Sequence, residues 1–206
     1  MISHKYKCIF IHIPRTAGSS IEKWICGSDW WKIDKQTKHL LASQAKSIYQ
    51  EYWDSYFKFS FVRNPWDRSV SCLKHPEYFG ILFDKRMNFN LYKERFKFPI
   101  LVEYDYRFYQ AKDIVNNRHK ENMVYQNILD KEIDFIGTYE NLEKDLNFIK
   151  RELGIKDKFE IKKSLEKSNN RLAYQKYYDQ KSIEEVNSLY KEDILKFNYS
   201  FDNIFK

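Results

Sequence analysis

Three short apolar runs stand out along an otherwise polar, lysine-rich chain. The first, Cys8-Ile-Phe-Ile-His-Ile13, is rich in Ile and stops at Pro14. The second, Tyr56-Phe-Lys-Phe-Ser-Phe-Val62, alternates aromatic with other residues and stops at Arg63-Asn-Pro65. The third is Ile133-Asp-Phe-Ile-Gly-Thr-Tyr139. Runs of this length bounded by turn residues predict buried strands. A helical pattern follows each. Behind the third, Leu142, Leu146, Ile149 and Leu153 share one helical face, with Asn141 as N-cap and Gly154 as C-cap. Ile183, Val186, Leu189 and Tyr190 mark a further helix. Strand followed by helix, repeated, predicts an α/β fold: a single domain over residues 1–206 with a central parallel β-sheet flanked by helices. The aromatic, basic segment from Lys74 to Asp130 is expected to supply helices over the sheet and part of a substrate wall.

Composition narrows the class. A chain of 206 residues has room for one core of this kind. Aromatic residues make up 18 % of it, which excludes a disordered polyelectrolyte. Three widely spaced cysteines exclude a disulfide scaffold. No apolar stretch approaches the roughly 18 residues of a membrane span, and the N-terminal apolar run is too short for a signal peptide. The expectation is a cytoplasmic chain with reduced thiols. The net charge of +7 suits an anionic partner, but dispersed lysines argue against nucleic acid, which calls for basic residues clustered on one element.

Two strand ends carry chemistry. The first strand runs into Pro14-Arg-Thr-Ala-Gly-Ser-Ser20, and a helix is predicted from about Ser20. Small residues let backbone N–H groups converge, and a helix N-terminus adds unpaired donors, so Thr16, Ala17, Gly18, Ser19 and Ser20 suit an anion, with Arg15 as a permanent cation. The same residues suit an ordinary turn with an N-cap serine. A Walker A loop is absent, because no Gly-Lys-Ser/Thr follows. The second strand ends at Arg63, and Pro65 can open a helix that carries Ser71 two turns on. An Arg fork plus a hydroxyl makes a second anion site. Asp67 and Arg68 are read as a structural pair or cap.

Together, Phe10-Ile-His-Ile-Pro-Arg-Thr-Ala-Gly-Ser-Ser-Ile-Glu22 and Phe59-Ser-Phe-Val-Arg-Asn-Pro-Trp-Asp-Arg-Ser-Val-Ser71 resemble the carbohydrate sulfotransferase family. Its members use 3′-phosphoadenosine-5′-phosphosulfate (PAPS) and release 3′,5′-ADP (PAP). Phe135-Ile-Gly-Thr-Tyr-Glu-Asn-Leu-Glu-Lys-Asp145 and the stretch from Asn170 to Tyr199 resemble later segments of that family, in the same order. The resemblance implies a P-loop-like fold, a 5′-phosphosulfate loop at Arg15–Ser20, and a 3′-phosphate held by Arg63 and Ser71. It also implies further cofactor contacts at Arg171 and Tyr174 and no metal. Arg15 stands where many members carry a lysine. A guanidinium is a permanent cation and a poor proton donor, so its help to the leaving phosphate is electrostatic.

An acceptor hydroxyl must lose its proton, which favours a base with a pKa near neutrality. His12, inside a strand, reads as a packed or hydrogen-bonded residue. His4 reads as part of a fraying terminus, His75 lies just past the second motif, and His119 sits in a polar surface run. His39 lies between the two loops, where the resembling family carries its base, and takes that role, with Glu22 as runner-up. Tyr92 to Tyr109 mixes cations with aromatics that suit a sugar acceptor, although most of them read better as core aromatics and a solvated lysine face. Two alternatives stay open: a P-loop-like kinase, and a binder of PAP or a polyanion without turnover.

Overall fold

The computed structural model describes residues 1–34, 37–73, 124–157, 159 and 173–202. In chain order the first elements are β1 (Ile2–Ser3), β2 (Cys8–Ile11), α1 (Gly18–Cys26), α2 (Trp30–Ile33), α3 (Ala42–Ile48), α4 (Gln50–Trp53) and β3 (Phe57–Val62). Then come α5 (Pro65–Leu73), α6 (Tyr125–Ile128), β4 (Phe135–Thr138), α7 (Leu142–Glu152), α8 (Gln180–Leu189) and α9 (Lys191–Phe197). The fold is α/β, as the alternating pattern predicted. The described chain divides into two compact units, Met1–Arg63 with Ile128–Asn170, and Asn64–Asn127 with Arg171–Lys206.

The first unit holds a four-stranded sheet in the order β1-β2-β3-β4. The β2, β3 and β4 strands run parallel, with Phe10 opposite Phe59 and Phe61 opposite Gly137, while β1 joins β2 antiparallel. Parallel strands covered on both faces need apolar residues at every position, which is why the runs read as continuous. One face carries Cys8, Phe10, Phe59 and Phe61, packed with Ile21 and Ile25 of α1 and with Leu142, Leu146 and Ile149 of α7. Ile9, Ile11 and Ser60, which alternate with these, are buried too. Two expectations change here. The first strand leaves the ladder at Ile11, two residues early, and its last two predicted members enter the loop. The N-terminal residues pack instead of fraying: the Met1 amino group donates to the Phe10 carbonyl at 3.0 Å, and the His4 ring shares a 2.9 Å hydrogen bond with the Tyr56 hydroxyl.

The second unit is organised by polar anchors under α5. Asn64 accepts from the Trp66 and Asp67 amides through Oδ1, so Asn64 rather than Asp67 caps α5. Through Nδ2 it donates to the Ser200 carbonyl. Arg68 is fully buried, its guanidinium 5.1 Å from the Tyr125 ring centroid and within 3.4 Å of the Tyr190 hydroxyl. Asp193 accepts from the Tyr125 and Gln126 amides. The C-terminal segment is thus held to α5 by named hydrogen bonds, and Trp66 Nε1 adds one to the Ile183 carbonyl.

Gly137 is set by space. A Cβ there would lie 2.4 Å from the ring of Phe61, whose side chain is buried. Gly137→Ala is expected to destabilise the fold by about 1–3 kcal/mol, read from the urea midpoint; an unchanged midpoint would show that Phe61 yields without cost.

Candidate functional site

The turn from β2 into α1 is an anion-binding shape made without a Walker sequence. Arg15 and Ala17 adopt left-handed conformations, φ 69° and 70°, with Thr16 between them. Alternation of this kind turns successive N–H groups toward one side. For residues with a Cβ, a left-handed conformation costs on the order of 1 kcal/mol each, a strain that surrounding contacts must hold. Those contacts are visible. Thr16 Oγ1 donates to the Ile13 carbonyl at 2.8 Å, so its proton ties the loop together instead of pointing outward as expected. Arg63, at the end of β3, donates from Nη1 to the Arg15 carbonyl at 3.2 Å, and its guanidinium lies 4.0 Å from the Tyr139 ring centroid.

The helix starts at Gly18, two residues earlier than expected, with Ala17 at the N-cap and no side-chain cap. That removes the N-cap serine reading. An α-helix leaves its first N–H groups without internal partners, and here neither a cap side chain nor a first-turn acidic residue offsets them. Gly18 is small for a reason the sequence did not reveal. A Cβ on it would sit 2.0 Å from the His12 ring, so the glycine makes room for an imidazole.

Beneath the loop lies a buried polar network that sequence reasoning found only in part. Glu22, wholly buried, accepts from His12 Nδ1 at 2.5 Å, from the Trp30 amide at 3.0 Å and from Lys38 Nζ at 2.8 Å. Lys38 also donates to Asp29 Oδ1 and, at 3.2 Å, to Ser19 Oγ. Burial works to raise the Glu22 carboxyl, but His12 and the Lys38 ammonium outweigh it and hold it well below the usual carboxylate range. Burial pushes His12 below its ordinary value despite the neighbouring carboxylate, so the ring is neutral and donates through Nδ1. Lys38 was missed. Its one signal was a lysine directly preceding the candidate histidine.

His39 is buried beside this network. Its Nδ1 lies 2.9 Å from the His12 carbonyl, which can only accept, so Nδ1 carries the proton and Nε2 the lone pair. The two imidazoles are 4.3 Å apart between centroids. Burial, then the proximity of His12, holds His39 well below its ordinary pKa. The first unit therefore brings together Arg15, Thr16, Ala17, Gly18, Ser19, Ser20, Glu22, His39 and Arg63 of the predicted set. Ser71 lies in the second unit, buried on α5. Tyr174 is also there, its hydroxyl bonded to the Phe201 carbonyl and to Asn64 Nδ2. Arg171, His75, His119 and the span Tyr92–Tyr109 lie outside the described residues.

Comparison with known proteins comes to one family. The model described as "Sulfotransferase family" matches residues 1–200. An uncharacterized protein of Archaeoglobus fulgidus is 31 % identical over 113 residues, covering 55 % of this chain and 80 % of its own length. No solved structure matches.

Two buried neutral histidines make stability depend on pH. Both have folded pKa values below the unfolded 6.5, so below about pH 6.5 the unfolded chain binds protons that the folded chain refuses. The histidine contribution is therefore expected to be full above that pH and to fall below it, by up to about 1.4 kcal/mol per pH unit for each histidine, while the buried Met1 amine, lowered by burial from 8.0 to about 6, adds a decline that begins near pH 8. Urea midpoints at pH 7.5, 6.5 and 5.5 read this directly, and His39→Gln should flatten the decline. A flat profile for the wild type would mean that neither ring is held neutral.

Proposed function

We propose a donor, an acceptor and a base for this chain, which belongs to the sulfotransferase family. Sulfuryl transfer is the chemistry of that family. The finer reading is that the donor is PAPS and the acceptor a hydroxyl, in the first instance of a carbohydrate, with residues 1–206 acting as one sulfotransferase domain in the cytoplasm.

The observation that carries the donor assignment is the loop at 15–17. Left-handed Arg15 and Ala17 precede an α1 terminus with no side-chain cap, and Arg63 grips the Arg15 carbonyl. Converging N–H groups and permanent cations fit phosphate and sulfate oxygens. PAPS, when bound, supplies an activated sulfuryl group and departs as PAP. Gly18 and Ser19 offer N–H donors and Ser19 and Ser20 hydroxyls to the 5′ end, and Arg15 offsets charge on the leaving oxygen without giving up a proton. Arg63 and Ser71 take the 3′-phosphate on the strength of the sequence motif, and Arg171 and Tyr174 are further contacts by the same resemblance.

The base is His39. Its tautomer, set by the bond to the His12 carbonyl, leaves Nε2 to receive the acceptor proton. Glu22 fits that role poorly. A wholly buried carboxylate with three donors on it, held below the usual range, is a weak base. Its part is to hold His12 and Lys38 in place.

Thermal unfolding with PAP, and with 5′-AMP and ATP as controls, tests the donor. At about 100 times its Kd a ligand adds about 2.7 kcal/mol, which for a chain of this size is a shift of roughly 5–10 °C. A shift for PAP and not for 5′-AMP is expected. A shift for ATP alone would instead favour a kinase. With PAPS and a glycan acceptor, His39→Ala should lower kcat by about 10²–10⁴ while leaving PAP affinity within severalfold. Undiminished turnover would remove His39 from the reaction, and PAP binding without turnover in the wild type would leave a binder only.

A further inference from the structure

Lys38 has a place in this site that its chemistry makes specific. It is 5 % exposed, and its three ammonium protons meet three oxygens: Ser19 Oγ at 3.2 Å, Glu22 Oε2 at 2.8 Å and Asp29 Oδ1. An ammonium only donates, so Ser19 is its acceptor at that contact, and the serine's own proton points elsewhere. Ser19 is also bonded to Asp29, whose carboxyl is held below its usual range by Lys38, the Trp31 amide and Ser19 against the opposing effect of burial. The Ser19 hydroxyl thus receives from a cation and gives to an anion, both fixed in the protein. Asp29 also accepts from the Trp31 amide as the N-cap of α2, so it is anchored independently of the loop.

We propose that Lys38 is a positioning residue of the cradle: it holds Ser19 by the oxygen, so that the hydroxyl proton turns from Asp29 onto an anionic oxygen of the donor. This rests on the reading of the loop as the donor site. A hydroxyl that accepts from a cation is a stronger donor than a free one, because the two hydrogen bonds polarise each other. Asp29 is then a stand-in for the ligand. It keeps the Ser19 proton and one ammonium proton satisfied, at the cost of competing for both. Lys38 also precedes His39, so one short segment supports Ser19 with one residue and presents the base with the next.

Calorimetric titration of PAP into the wild type, Ser19→Ala, Lys38→Met and the double variant tests the coupling without any need for turnover. Removing a hydrogen bond to a charged group should weaken PAP by about tenfold or more in each single variant. If Lys38 acts through Ser19, the double variant binds no more weakly than the weaker single. Losses that multiply would overturn the proposal, and a purely structural lysine predicts that result. Asp29→Asn gives a second reading should Lys38→Met fail to fold. It keeps the α2 cap and the lysine but removes the competing charge, and PAP should bind severalfold tighter; weaker binding would overturn the proposal. A wild type that binds no PAP would overturn the donor reading and this inference with it, whereas multiplying losses in a chain that does bind PAP overturn the inference alone.

Discussion

A carboxylate taken wholly out of water must find its solvation inside the protein, and Glu22 finds all of it. The need to satisfy its two oxygens draws in His12 from the end of β2, the Trp30 amide from the start of α2 and Lys38 from the segment beyond. These partners come from three separate stretches of chain, and each goes on to hold a part of the site. His12 lies against Gly18 and offers its carbonyl to His39, Lys38 reaches Ser19, and Trp30 donates from Nε1 to Thr37 just ahead of Lys38. The loop above can keep two strained residues because named contacts hold it: Thr16 on the Ile13 carbonyl, Arg63 on the Arg15 carbonyl and Lys38 on Ser19.

The parallel strands were legible because burial on both faces leaves a run with almost no polar interruption, and the βα turn was legible because Pro14 and Gly18 mark it. The helix α7 was legible from its spacing, and Gly154 indeed takes a left-handed conformation just past its end. The short helices α2 and α4, four residues each, carry too few turns to show a period and were missed. So was the strand β1, two residues long. Site residues divide the same way. Arg15, Ser19, Ser20 and Arg63 lie in compact motifs. Lys38 does not, since its role depends on three acceptors that only the folded chain brings together. Glu22 entered only as a runner-up base, because no local pattern announces that three donors will converge on it.

The electrostatic character of the loop is unusual in its division of labour. Arg15 contributes both a strained backbone and a guanidinium, while its carbonyl serves Arg63. Two permanent cations are thereby linked through one peptide group. The two imidazoles are of the other kind: burial lowers both and favours their uncharged form.

The contact between Gly18 and the His12 ring has a meaning for anyone comparing sequences of this kind. With a Cβ on residue 18 placed 2.0 Å from that ring, the two positions share one volume and cannot both be filled. They are six residues apart, on opposite sides of a turn, so an alignment scored column by column treats them as independent. Packing makes them a single character. A chain that gains a side chain at position 18 must shrink or redirect the residue at 12, and in doing so gives up the donor that holds Glu22. Variation at these two columns should therefore travel together, and the carboxylate at 22 should travel with them.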